Sequence, residues 1–366
     1  MITRKPLLYI LFLALLTACQ GHTVETRPTV QYVRDIISFK NAPEHLILAS
    51  NPEPARTGDL VVIGSSAQCA AVSTQMSMSD AVDNFDGAHA PDGLVDFAGE
   101  YIVSIVDDAE GPYASYLSSG REEQLRENTV RSVISAIDST YSLTAYDLEG
   151  KGRKAPAKVI ILADVQQYVY GHFDVDTLLS CTGCGINVVS AFESMVKSAV
   201  PAEGTGKLNI AVIASPEVSD STVYYAALSE ILSGREVDCF ATHAGADTTN
   251  AVLSLLDSYI ATGHTEALDV ILVDDYDLAP SEIAEGLNRA SSLMSSESLV
   301  YGKYLSDDVR FSCPAEAVSM SCYQILREQN LFTHKIALPQ SFSYKTVKHP
   351  EGAGVLLTPI SFYVQN

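Results

Sequence analysis

Short apolar runs recur along the chain, and stretches with helical spacing separate them. The runs at 60–63, 101–106, 159–163, 186–189, 208–214, 269–273 and 309–312 are rich in β-branched residues and do not alternate with polar ones. That pattern predicts central strands covered on both faces. Helices are predicted over 121–138, 191–200, 222–232, 248–262, 281–295 and 315–328. Strands alternating with helices predict an α/β fold with a parallel-rich sheet. Ligands of such sheets bind at the carboxyl ends of the strands. The residues there are Gly64-Ser65-Ser66, Asp107-Asp108, Asp164, Ser215-Pro216 and Asp274-Asp275. Acids in such places bind amines or metals, move protons, or simply cap the next helix. The last stretch, 332–366, is broken by Pro and Gly and ends apolar, which predicts a hairpin or edge strand added to the first half.

The N-terminus changes the compartment. Arg4 and Lys5 precede an unbroken apolar run over 7–16, too short for a spanning helix and suited to a secretion signal. It ends in Leu16-Thr17-Ala18-Cys19, which resembles the lipobox of bacterial lipoproteins. The resemblance implies removal of 1–18, acylation of Cys19 and a lipid bilayer as partner. An ordinary secretory signal ending near a cysteine is the plainer alternative. Gln20, where Asp would retain a lipoprotein at the inner membrane, points to the outer membrane of a cell envelope. Residues 19–55 are polar with four prolines and are expected to be a tether, with one short element over 30–39.

Composition narrows the partners. The 366 residues carry 23 Lys and Arg against 45 Asp and Glu, a net charge of −22. Phosphate contacts need clustered basic residues, so nucleic acid is not expected. No G-x-G-x-x-G, P-loop or G-x-S-x-G follows a strand, and the His residues show no metal-ligand spacing, so neither a cofactor nor a metal is expected. Six cysteines remain besides Cys19. Structural disulfides, buried free thiols, and redox chemistry at Cys181-Thr182-Gly183-Cys184 all stay open.

The order of motifs resembles the aspartate/glutamate racemase family. Asp108-Ala109-Glu110-Gly111-Pro112-Tyr113 is similar to its "DTARxPYG" loop. The strand leading to Ser215-Pro216-Glu217, with Ser221-Thr222-Val223-Tyr224, resembles its "GVIAT…SGAY" stretch, and the segment from Val309 to Val318 resembles its closing strand and helix. The resemblance implies two pseudo-symmetric, parallel-rich α/β halves with a ligand between them. The expected division is 56–190 completed by 308–366, and 191–307. In that family two opposed cysteines exchange the α-proton of an amino acid without a cofactor. The matching stretches here place Asp164 and Asp274 at those positions. Ser65, Asp108, Pro112, Tyr113, Gln166, Asp275 and Tyr276 fall at the positions implied to hold the ligand.

These departures bear on the chemistry. A carboxylate is weaker than a thiolate as a base by about four pK units, unless burial raises it. Two Asp facing one pocket would repel the carboxylate of an acidic amino acid and favour a neutral or cationic ligand. An envelope-anchored chain also does not serve a cytoplasmic step of cell-wall synthesis. Three readings remain. The first is a non-catalytic lipoprotein that binds a small or cell-wall-derived ligand. The second is a cofactor-independent racemase- or isomerase-like enzyme with Asp164 and Asp274 as acid and base. The third is an interaction lipoprotein with an idle pocket. A type 1 periplasmic binding protein is the rival fold, with two α/β halves of its own.

Overall fold

The computed structural model describes residues 27–201, 206–218, 220–245, 250–350 and 354–360. The signal segment 1–18 and Cys19 lie outside the described residues. In chain order the elements are α1 (Gln31–Ser38), α2 (Pro43–Ala49), β1 (Asp59–Gly64), α3 (Ser66–Met78), β2 (Tyr101–Val106), α4 (Ala114–Ser118), α5 (Glu122–Ile137), β3 (Thr140–Tyr141), β4 (Gly152–Arg153) and β5 (Ala157–Leu162). They continue with α6 (Val165–Thr182), β6 (Asn187–Ser190), α7 (Ala191–Ala199), β7 (Leu208–Ala214), α8 (Thr222–Ile231), β8 (Val237–His243), α9 (Ala251–Ala261) and β9 (Leu268–Val273). The last are α10 (Pro280–Ser291), α11 (Ser298–Tyr301), β10 (Leu305–Ser312), α12 (Pro314–Glu328), β11 (Gln340–Lys348) and β12 (Val355–Pro359).

Two sheets organise the chain. The first has the order β12-β11-β2-β1-β5-β6 and is parallel except for the β11–β12 hairpin. The second, β10-β9-β7-β8, is parallel throughout. Successive residues of a strand face opposite sides, so each sheet builds two cores. On β1, Val61 and Ile63 pack under α1, α5 and α6, whereas Leu60 and Val62 pack against α3 and α12. On β7, Ile210 and Val212 join a core with α6, α7 and α8, and Ala211 and Ile213 pack on α9 and α10. The first of these cores holds Val165 and Tyr168 of α6 beside Val223 and Tyr224 of α8, and so sews the two halves together.

Two expected boundaries move. Residues 309–312, assigned above to the first half, form the end of β10 and pair with β9 of the second sheet, Phe311 opposite Ile271. The expected tether is a folded part of the first half from residue 27 onward. Val30, Val33, Ile36 and Leu48 are buried in its core. The Val30 N–H donates to Asp174 Oδ1 (2.9 Å), and Arg126, which grips the other Asp174 oxygen at 2.7 Å, also donates to the Pro28 carbonyl. The prolines that suggested a tether sit at starts and ends: Pro43 opens α2, where its missing N–H costs nothing.

Of the elements that escaped the pattern, α3, α6 and β8 matter most for the two sheets. α3 carries its buried face on Gln68, Cys69, Val72 and Met76, a stripe diluted by Ser and Gln. α6 buries Gln166, Gln167 and Asp174 along with its apolar residues, so no clean stripe exists. β8 is a half-buried edge strand with Asp238 and Thr242 inside it. The six cysteines after Cys19 are free thiols, all but Cys181 and Cys239 buried. No helix of the described residues is long and apolar enough to cross a membrane.

Candidate functional site

The strand ends of the two sheets meet where α6 packs on α8. Asp164 directly follows β5 as the N-cap of α6. Its Oδ1 accepts the N–H groups of Gln166 (2.7 Å) and Gln167 (3.3 Å), and its Oδ2 takes a long contact of 3.4 Å from Gln68 Nε2. Gln68 is held for this by its own helix start. Its Oε1 accepts the Ser65 N–H at 2.8 Å, while the Ser65 hydroxyl caps α3. Asp274 ends β9 and accepts a 2.8 Å hydrogen bond from the Tyr224 hydroxyl, which itself accepts the Ser215 N–H at 3.1 Å. Both carboxylates are only 2 % exposed.

Burial decides their protonation. It pushes Asp164 up to about 6 even though two backbone N–H groups and Gln68 pull the other way. Asp274 lies well above the carboxylate range: burial dominates, the Tyr224 bond opposes it, and the charges of Asp164, Asp275 and Glu217 add to it. The two acids are therefore within electrostatic reach of one another and unequal. Burial raises both acids, and Asp274, with three like charges added to it, holds its proton more tightly than Asp164, an inequality suited to one base and one acid.

Tyrosines close the space around them. Tyr276, on the loop after β9, donates to the Ala163 carbonyl at 2.7 Å and so ties the second half to the first. Tyr113 is buried, donates to Asp107 Oδ2 (2.5 Å) and accepts from Gln167 Nε2 (2.7 Å). Asp107 also accepts from Thr346 and Ser132, and burial raises it. Two buried amide atoms in the first turn of the helix that Asp164 caps, Gln166 Nε2 and Gln167 Oε1, have no partner among the described residues. An unsatisfied buried polar atom costs about 1–3 kcal/mol, so this pair stands out against an otherwise bonded shell.

The residues singled out from the sequence divide into two groups. Asp164, Gln166, Tyr113, Asp274, Asp275 and Tyr276 lie in or against this cluster, and Ser65 reaches it through Gln68. Asp108 and Pro112 do not: both are exposed, Asp108 lines a serine-rich groove with Ser66 and Ser73, and Pro112 follows a cis peptide bond in the loop before α4. Gln68, Gln167 and Tyr224 were missed as site residues, and Asp107, singled out only as a strand-end acid, reaches the cluster through Tyr113. A Ser-x-x-Gln capping box marks Gln68, but only the fold turns its amide toward Asp164. No group of three or more His, Cys, Asp or Glu among the described residues is placed to hold a metal ion.

No family model matches the chain, and no curated protein matches it. Solved structures do. A glutamate racemase isoform from Bacillus anthracis aligns over 80 % of this chain and 89 % of its own, at 14 % identity and a TM-score of 0.50. The chain has a glutamate racemase-like fold. The racemase of Francisella tularensis, solved with D-glutamate, covers the same shares at 16 % identity and a TM-score of 0.48. A maleate cis-trans isomerase from Nocardia farcinica covers 75 % of this chain at 13 % identity and a TM-score of 0.33. At such identities the likeness is one of architecture. It agrees with two parallel-rich α/β halves whose strand ends face each other, and it leaves the chemistry to the residues in place.

Proposed function

We propose that this chain is an envelope protein, anchored through an acylated Cys19, that binds a small polar ligand between its two halves without turning it over. The observation that carries the reading is the pair of buried amide atoms with no partner among the described residues, Gln166 Nε2 and Gln167 Oε1, in the first turn of the helix capped by Asp164. A ligand offering one acceptor and one donor, and no net negative charge, satisfies both amides without adding to the repulsion between the acids. Tyr276, bonded to Ala163, is the contact that has to open for entry. At the Asp164 and Asp274 positions the racemase resemblance implies cysteines, and loss of those thiols supports binding over racemisation.

Calorimetric melting of the full chain in mild detergent, screened against neutral and basic amino acids and cell-wall peptides, tests this. A ligand that stabilises the parent but neither Asp164→Asn nor Asp274→Asn supports the junction as its site. Failure of every compound to shift the parent rejects it in favour of an idle pocket. A Cys19→Ala chain found soluble after fractionation, with the parent in the outer membrane, supports the anchor; equal distribution removes it.

A second reading is favoured by the unequal acids. Asp164 as base and Asp274, which holds its proton more tightly, as acid form a cofactor-independent racemase- or isomerase-like pair. Exchange of the ligand's α-proton in heavy water, abolished in either variant, selects this reading over simple binding.

A further inference from the structure

A cavity of about 340 Å³ opens between α6, β6, α7 and α8, and neither Asp164 nor Asp274 belongs to its wall. Its wall includes Tyr168 and His172 of α6, Asp176 one turn on, Glu193 of α7 and Glu230 of α8. Three carboxylates thus face one histidine. His172 Nε2 pairs with Glu230 at 2.6 Å across the two halves, and its Nδ1 lies 2.6 Å from the Tyr168 carbonyl. Glu193 is paired along its own helix with Lys197, whose side chain is 67 % exposed. Such an exposed pair within one helix is weak and leaves Glu193 available to a guest. Asp176 is exposed to solvent at the cavity wall, feels the charge of His172, and has no ion-pair or hydrogen-bond partner among the described residues.

A separate feature points to a guest. Tyr168 is only 7 % exposed, yet its hydroxyl makes no hydrogen bond among the described residues while its ring lines the cavity. That ring stacks on His172 at 4.7 Å between centroids. Buried tyrosines ordinarily find a partner for the hydroxyl. The carboxylates that face it, Glu193, Glu230 and Asp176, add to burial in pushing the phenol above its ordinary range, and Glu193 and Glu230 do the same to Asp176 beside burial. An aromatic wall with surplus carboxylates and a free hydroxyl is the chemistry that receives an organic ammonium group. The acids are spread around the cavity rather than converging, which suits a cation larger than a bare metal ion.

We propose that the cavity between α6, β6, α7 and α8 is a second binding site, for a small amine cation held by Asp176 and Glu193 against the Tyr168 ring. An amine seated there touches α6 and α7 and lies beside the His172–Glu230 pair, so it strengthens the contact between the halves. This site is independent of the junction at Asp164 and Asp274.

Isothermal titration of the detergent-solubilised full chain with methylammonium, tetramethylammonium and 1,4-diaminobutane tests it, with sodium acetate as control. Saturable binding is expected for at least one amine and not for acetate. The double variant Asp176→Asn, Glu193→Gln should weaken it at least about tenfold, and Tyr168→Leu should weaken it too. Asp274→Asn should leave it unchanged. No heat with any amine at millimolar concentration overturns the proposal. So does unchanged affinity in the double variant with its melting temperature preserved. Loss in Asp274→Asn alone assigns the amine to the junction and overturns it as well. A double variant that fails to fold is replaced by Asp176→Asn alone, since that side chain makes no bond to lose; its failure to weaken binding counts against the site.

Discussion

At the scale of single residues, Asp164 serves two ends that conflict. As an N-cap it stabilises α6, typically by about 1 kcal/mol. As a buried carboxylate raised from 3.8 to about 6, it is held in a place that disfavours its charge. The folded chain therefore binds more protons than the unfolded one between those values. Stability falls as pH rises through that window, and the penalty is complete above pH 6. Asp164→Asn keeps an N-cap and removes the charge. It is expected to raise stability at pH 8 by up to about 3 kcal/mol, less whatever the long Gln68 contact contributes, and to change little at pH 3.5. Urea titrations at the two pH values check this; an Asn variant less stable at both places the cap above the charge.

Elements carry the next lesson, because the two N-terminal helices are part of the body. α1 and α2 bury Val33, Ile36 and Leu48 against α5 and α6. Leu48 is fully buried, so Leu48→Ala is expected to cost about 2–4 kcal/mol, read as a drop in the melting midpoint. A cost below about 0.5 kcal/mol would mean that α2 is detached in solution. Residue Asp174 anchors this segment through Val30 and Arg126, although it is some 140 positions away in the chain, |i−j| = 144 from Val30. Local composition, with its prolines, reads as a tether; only the distant carboxylate and the distant apolar surface make it structure.

Across the whole molecule, the proposed function rests on how the halves meet. Their junction is closed by the shared core around Tyr168 and Tyr224, by His172 on Glu230, and by Tyr276 on Ala163. The last is the bond nearest the acids. Tyr276→Phe is expected to lower stability by about 1 kcal/mol and to speed amide hydrogen exchange at the start of α6. Unchanged exchange there would show that the junction opens without breaking this contact. Linkage predicts that a ligand which binds only the open junction gains affinity in the Phe variant, since less of the equilibrium must be displaced.

The strand–helix alternation, the parallel-rich α/β class and the acids at strand ends were legible from the chain alone. β-branched runs such as 208–214 and 269–273 have few ways to hide both faces other than as central strands. The motif order carried the racemase-like fold because short stretches in register survive when overall identity does not. Tertiary structure alone decided the rest. Whether Asp164 and Asp274 share an environment depends on two sheets built from segments far apart, and whether an acid is ionised depends on burial, which no local pattern reports. Gln68, Gln167 and Tyr224 became partners of those acids only when α3, α6 and α8 were brought together. The amine-sized cavity follows the same rule: its three carboxylates come from three helices, and their sum is a property of the packing.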